Sequence, residues 1–149
     1  SNNTIAGSSG AGALAVNGVL IQNGARNVVV RNNTITVTTP TNVQNLVGIN
    51  ASPGLGGSVI ATGNTISLSG TTSFAAAIGA AGGVPGGTTL TASGNTLSAA
   101  ATSANNFAVH VINSTIAPGS AGNIRLSGGC SYQAGSSGTV GFADGTSCP

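Results

Sequence analysis

The tripeptide Asn-Thr-Ile, or its Leu variant, returns along this chain at a nearly constant interval. It occurs as Asn3-Thr4-Ile5, Asn33-Thr34-Ile35, Asn64-Thr65-Ile66 and Asn95-Thr96-Leu97, which sets the asparagines 30, 31 and 31 residues apart. Self-similarity at a fixed period of this length marks a repeat architecture, in which each repeat buries its apolar face against the next. A chain of 149 residues is then one stack, a single domain over residues 1–149.

Each repeat carries the period-2 alternation of strands with one face turned inward. Val28 and Val30, Val59 and Ala61, and Leu90 and Ala92 precede the repeat Asn at matching offsets. After the Asn, Ile35 and Val37, Ile66 and Leu68, and Leu97 and Ala99 point one way, with hydroxyl residues between them. A third apolar segment follows in each period: Val16–Ile21, Leu46–Ile49, Phe74–Ile78 and Phe107–Ile112. Clusters such as Ala51-Ser52-Pro53-Gly54 and Val84-Pro85-Gly86-Gly87 supply the corners between segments. Three strands and three turns in about 31 residues predict an all-β chain of about five rungs in a triangular parallel β-solenoid. In the fifth rung, Ile124 and Leu126 align with Leu90 and Ala92, Gly129 takes the Asn position, and Val140 and Phe142 align with Phe107 and Val109. The expected core is Val28, Ile35, Val59, Ile66, Leu90, Leu97, Phe107, Val109 and Ile124.

The x-x-Asn-Thr-Ile pattern over nearly the whole chain resembles right-handed parallel β-helix proteins, the architecture of pectate-lyase-like enzymes, autotransporter passengers and phage tailspikes. That resemblance implies an internal ladder in which Asn33, Asn64 and Asn95 stack at a tight turn, with Asn3 as a further candidate. It implies little about activity, since many unrelated functions share the fold.

Composition narrows the function. Only 3% of residues are charged, where about a quarter is usual, and Arg26, Arg31, Arg125 and Asp144 are the whole inventory. Three scattered arginines exclude a nucleic-acid partner, which needs many Lys/Arg contacts to phosphate. Near-neutrality removes the repulsion that keeps copies apart. Cys130 and Cys148 read as a disulfide rather than two unpaired thiols, stapling a C-terminal rung of residues 124–149 and placing the chain in an oxidising, extracellular or cell-surface setting. Closing that loop stabilises this end by about 3 kcal/mol in the chain-entropy model. The longest apolar run, 74–84, is mostly Ala and Gly and is too short to span a membrane. A start at Ser1 points to a processed form or an excised fragment.

No enzymatic activity, metal or cofactor is expected. Glycoside hydrolysis uses two carboxylates and this chain has one, Asp144. Asp144 aligns near His110 on the adjacent rung, yet no Gly-x-Ser-x-Gly elbow accompanies them, so His110, between Val109 and Val111, is expected to face outward as a solvated or packing histidine. Arg26 and Arg31 flank Val28–Val30 and are expected to cap a solenoid edge or pair with backbone carbonyls. Asn-x-Ser/Thr sequons begin at Asn2, Asn32, Asn50 and Asn113.

Two surfaces invite functional readings. Thr34, Thr36 and Thr38 above Thr65, Ser67 and Ser69, above Thr96 and Ser98, predict a flat hydroxyl grid that resembles the ice-binding face of β-solenoid antifreeze proteins. At the ends, uncovered strand edges recruit other chains. Asn3 and Ile5 at one end, with Leu126, Val140 and Phe142 at the other, are the candidate assembly surface. The leading expectation is a non-enzymatic extracellular structural protein, either self-assembling end to end into a fibre or acting as an adhesin for cell-surface or carbohydrate ligands. An ice-binding solenoid is the runner-up, and a piece of an autotransporter-type passenger is third.

Overall fold

The computed structural model describes residues 1–10 and 13–149, and no helix occurs among them. The chain is a parallel β-solenoid of about four turns. The first face stacks β1 (Thr4–Ser8), the leading half of β4 (Thr34–Ala51), the leading half of β6 (Thr65–Ala81), β8 (Thr96–Thr102) and β11 (Ile124–Ser127). The second face stacks β2 (Ala15–Ile21), the trailing halves of β4 and β6, β9 (Asn106–Ile112) and β12 (Gly129–Tyr132). The third is a sheet of four strands: β3 (Val28–Arg31), β5 (Gly57–Thr62), β7 (Thr88–Ser93) and β10 (Ser114–Ile116). A small antiparallel pair, β13 (Val140–Gly141) and β14 (Ser147–Cys148), ends the chain. The described strands thus make four full turns and a shortened fifth level, where about five rungs were expected.

Alternation gives the core on the first and third faces. Ile35, Ile66 and Leu97 stack in one buried column, and Val59 and Leu90 in another, all at 0–1% exposure. Val28, on the edge strand of the third face, is only half-buried. On the second face the alternation breaks. Gly48 and Ile49, Ala77 and Ile78, and Ala108 and Val109 are consecutive buried pairs. A side chain on Gly48 would drive into Ile66 and come within 2.5 Å of the Ala77 carbonyl oxygen, so the backbone passes too close to the core for anything larger. Two successive inward positions shift the period by one residue, and a one-residue shift changes the face of every side chain beyond it. Phe107, expected inside, therefore lies half-buried on the outer surface, while Val109 is in the core.

A second shift corrects the last turn. The expected alignment put Gly129 in the Asn position; the structure puts Asn123 there, 28 residues after Asn95. Ile124 then follows the ladder Asn as Thr34, Thr65 and Thr96 do, pairing with Thr96, and it is 49% exposed rather than part of the core. Arg125 takes the position that Leu97 holds one level earlier. Residues 129–132, not Val140 and Phe142, pair with the strand of Phe107 and Val109.

The ladder has five members. From Asn3 to Asn95, each backbone N–H and side-chain amide N–H donates to Oδ1 of the next Asn at 3.0–3.2 Å. Asn64, Asn95 and Asn123 also donate from Nδ2 to carbonyls of the third-face strand one level earlier, at 2.9 Å to Val30, Ala61 and Ala92. The residue before each ladder Asn has left-handed backbone: Asn2, Asn32, Gly63, Gly94 and Gly122, with φ between 53° and 69°. Only Gly, and to a lesser degree Asn, adopts this conformation cheaply, which explains both residue types at this corner.

Candidate functional site

Small residues also shape the outer surface of this face, at other positions. On the second face the outward register sets Val47 beside Ala76 beside Phe107, and Asn50 beside Gly79 beside His110. Ala76 and Gly79 are short, so the middle level is recessed between its neighbours. The result is a groove of about 380 Å³. Asn17, Asn45, Asn50, Phe74, His110 and Gln133 contribute to its walls, and Gly79 to its floor. The Phe74 ring lies 5.7 Å from the Phe107 ring and 4.8 Å, edge to face, from the His110 ring. Across the groove, Asn50 Nδ2 donates to Asn17 Oδ1 at 3.0 Å, and Ser52 Oγ donates to Asn50 Oδ1 at 2.8 Å.

His110 is 8% exposed and stacks on Phe107 with 5.4 Å between ring centroids. Burial lowers its pKa from the ordinary 6.5, which favours the neutral ring. Its Nδ1 is buried without a partner among the described residues. A bare lone pair there costs less than a buried N–H with no acceptor, so the proton belongs on Nε2, making that nitrogen a donor. The groove is thus an uncharged site of amides and one neutral imidazole beside an aromatic wall.

Asp144, expected near His110, lies in the C-terminal turn instead. It accepts from Thr146 Oγ1 at 2.6 Å and from Thr146 N at 2.9 Å, and these bonds lower its pKa. No hydrogen bond joins it to His110 among the described residues. No group of three or more His, Cys, Asp or Glu among the described residues is placed to hold a metal ion.

The hydroxyl face has the register expected of it and extends further. Thr4, Thr34, Thr65 and Thr96 form one column, and Thr36, Ser67, Ser98 and Ser127 a second. Ser8, Thr38 and Ser69 form a third, which Ala100 ends. The Thr38 and Ser69 hydroxyls are 3.1 Å apart, as are those of Ser98 and Ser127. All these side chains are exposed or half-buried.

The candidate assembly residues divide. Asn3 and Leu126 are exposed, Leu126 at 66%, and Ile5 is half-buried. Val140 and Phe142, expected on an open end, are 0% and 5% exposed because the chain's own last turn folds over the stack. Cys130 and Cys148 stand at disulfide distance, with Cα atoms 5.6 Å apart, and tie this turn to β12. The Arg125 guanidinium sits 4.5 Å from the Phe142 ring centroid and donates to Thr146 Oγ1 at 3.3 Å.

Sequence reasoning missed Asn123 and the groove. Gly122-Asn123 repeats the Gly63-Asn64 and Gly94-Asn95 pairs, a signal that the tripeptide alone does not contain. The groove has no linear signal, since Gly79, Asn50 and His110 meet only through register. No helix among the described residues is long and apolar enough to cross a membrane. Comparison with protein-family models, with curated proteins and with solved structures finds no match to this chain.

Proposed function

We propose that this chain is a non-catalytic, extracellular structural module of adhesin type, a rigid solenoid that holds a neutral carbohydrate in the groove on its second face. The observation that carries this reading is the groove's chemistry. Planar amides of Asn17, Asn45 and Asn50 and the Nε2–H of His110 offer donors and acceptors to hydroxyls, and the aromatic ring of Phe74 suits the C–H surface of a sugar ring. Nothing ionised lines it, which favours uncharged ligands. The cysteine pair supports an oxidising environment.

Gly79 supplies a selective test. Its backbone is not left-handed, and an added Cβ would make only ordinary contacts, 3.5 Å from Val47 and 4.0 Å from Ala76. Gly79→Leu places a side chain on the floor at a position whose backbone accepts a Cβ. On an array of neutral oligosaccharides, the unmodified protein should bind a subset that Gly79→Leu and Phe74→Ala both lose, with thermal stability retained in Gly79→Leu. Binding unchanged in Gly79→Leu would refute the groove as the site.

A second reading rests on the unbroken column Thr4, Thr34, Thr65 and Thr96. Parallel strands repeat at ~4.8 Å between levels and ~6.7 Å along each strand, a hydroxyl lattice able to order water. Thermal hysteresis that is abolished in Thr36→Tyr/Ser67→Tyr would establish ice binding in place of the adhesin reading.

A further inference from the structure

Asn50, Gly79 and His110 stand in one outward column of the second face, on three successive levels. Parallel strands lie ~4.8 Å apart, so the Asn50 and His110 side chains rise from levels about 10 Å apart. Gly79, on the level between them, contributes no side chain. A Cβ added there would meet only Val47 at 3.5 Å and Ala76 at 4.0 Å.

The two walls offer opposite groups. Ser52 Oγ donates to Asn50 Oδ1 at 2.8 Å, and Asn50 Nδ2 donates to Asn17 Oδ1 at 3.0 Å. These bonds orient the amide and leave one lone pair on its oxygen. His110 is 8% exposed with Nδ1 buried and unpartnered among the described residues, so Nε2–H is its one donor to the groove. An acceptor on the earlier level therefore faces a donor on the later one, across the Gly79 level. Inside a parallel sheet the same interval is bridged by a peptide unit, whose N–H and C=O reach opposite neighbours. A ligand with a planar trans amide can do likewise above Gly79, serving both walls at once. A rotating hydroxyl serves one wall or the other.

Apolar groups flank that position along the strand. Ala81 and Ile112 pair across the same two levels, two residues beyond Gly79 and His110, and both line the groove half-buried. On the other side the Phe74 ring stands edge to face with the His110 ring at 4.8 Å. The first suits a methyl group and the second a pyranose ring.

We propose that the groove recognises the acetamido group of an N-acetylated sugar, an assignment that rests on the carbohydrate reading of the groove and narrows it. The acetamido N–H donates to Asn50 Oδ1, and its carbonyl oxygen accepts from His110 Nε2–H. The methyl lies against Ala81 and Ile112, and the sugar ring packs on Phe74.

The test is saturation-transfer NMR on the full chain, with titrations of N-acetylglucosamine, N-acetylgalactosamine and N-acetylmannosamine, each against its parent hexose. At least one N-acetylated sugar should bind about tenfold more tightly than its parent, with the acetyl methyl protons receiving the largest saturation. His110→Phe, which keeps an aromatic ring and removes the donor, should erase most of that preference, as should Asn50→Ala. If His110→Phe does not fold, Asn50→Ala and the methyl signal of the unmodified chain decide. Parent hexoses bound as tightly as their N-acetylated forms would overturn the acetamido assignment and leave the carbohydrate reading standing. So would a preference that survives in both folded variants. Tighter binding of N-acetylalanine methylamide, which has trans amides and no sugar ring, would overturn the sugar in favour of a peptide. If no N-acetylated sugar binds, the assignment fails, and the oligosaccharide array shows whether the carbohydrate reading fails with it.

Discussion

Replacing Asn64 by Ala should test the ladder most severely, because Asn64 is 1% exposed and works in both directions. Its Oδ1 accepts from Asn33 N and Asn33 Nδ2, both at 3.0 Å. Its Nδ2 donates to Asn95 Oδ1 at 3.0 Å and to the Val30 carbonyl at 2.9 Å. In the variant, both Asn33 donors lose their acceptor in a site that water does not reach. At about 1–3 kcal/mol for each buried group left unpaired, the loss comes to roughly 4 kcal/mol. For a domain of this size that corresponds to a fall in Tm of about 8–16 °C. Asn3→Ala removes a ladder side chain of the same type from the exposed edge. It leaves Asn3 N still donating to Asn33 Oδ1, and it should cost less than about 1 kcal/mol. Asn64→Asp should be at least as damaging as the Ala variant at neutral pH, because its second oxygen would face three acceptors: Asn95 Oδ1 and the Val30 and Thr62 carbonyls. Its carboxyl pKa would be raised by that company, so acidification should restore part of the loss. Thermal melts followed by far-ultraviolet circular dichroism would rank the three. Equal costs for Asn3→Ala and Asn64→Ala would refute the argument that burial and two-way bonding give the ladder its weight.

Gly94 has φ of 60° with nothing within 4 Å of an added Cβ, so Gly94→Ala isolates backbone strain; it should cost about 1–2 kcal/mol in a urea titration, and Gly94→Asn should recover most of it, as Asn2 and Asn32 already serve at this corner. Tyr132 is the single tyrosine, and burial pushes its phenol from 10.0 up to about 12, so the ultraviolet titration of the native chain should midpoint well above that of the urea-unfolded chain. Because the unfolded phenol ionises first, this contribution to stability is full below pH 10 and is lost as pH rises from 10 towards about 12; a denaturation midpoint flat over that window would contradict the buried placement.

How far the sequence announced this structure depends on which signal carries each part. The Asn-Thr-Ile period fixes the levels from Asn3 to Asn95, since one polar residue must recur at a buried corner and one apolar residue beside it must recur inside. The signal fails where the chain departs from its own clock. The step from Asn95 to Asn123 is 28 residues, whereas the alignment that set Gly129 in the Asn position spaces the last level at 34 and so reads Ile124 as core when it occupies the Thr column. It fails again at Gly48, Ala77 and Ala108, where two inward residues in succession look, in sequence, like ordinary alternation through small residues. That break in alternation leaves Phe107 on the outer surface, where it packs against Phe74 beside the groove. Sites built across levels are hidden in general, because a groove depends on a short residue lying beside long ones that are about 31 positions away.

The ladder also has a direction. From amide to amide, each Asn donates to the Oδ1 of the later level and accepts from the earlier one, so no two steps oppose each other. A chain folding in sequence order meets, at each completed level, a row of donors already positioned for the oxygen of the Asn about to arrive. Folding can then run forward one turn at a time, each turn serving as the template for the next. The signal to stop is the carbonyl of Gly141, which fills the ladder's last vacancy without offering a new one.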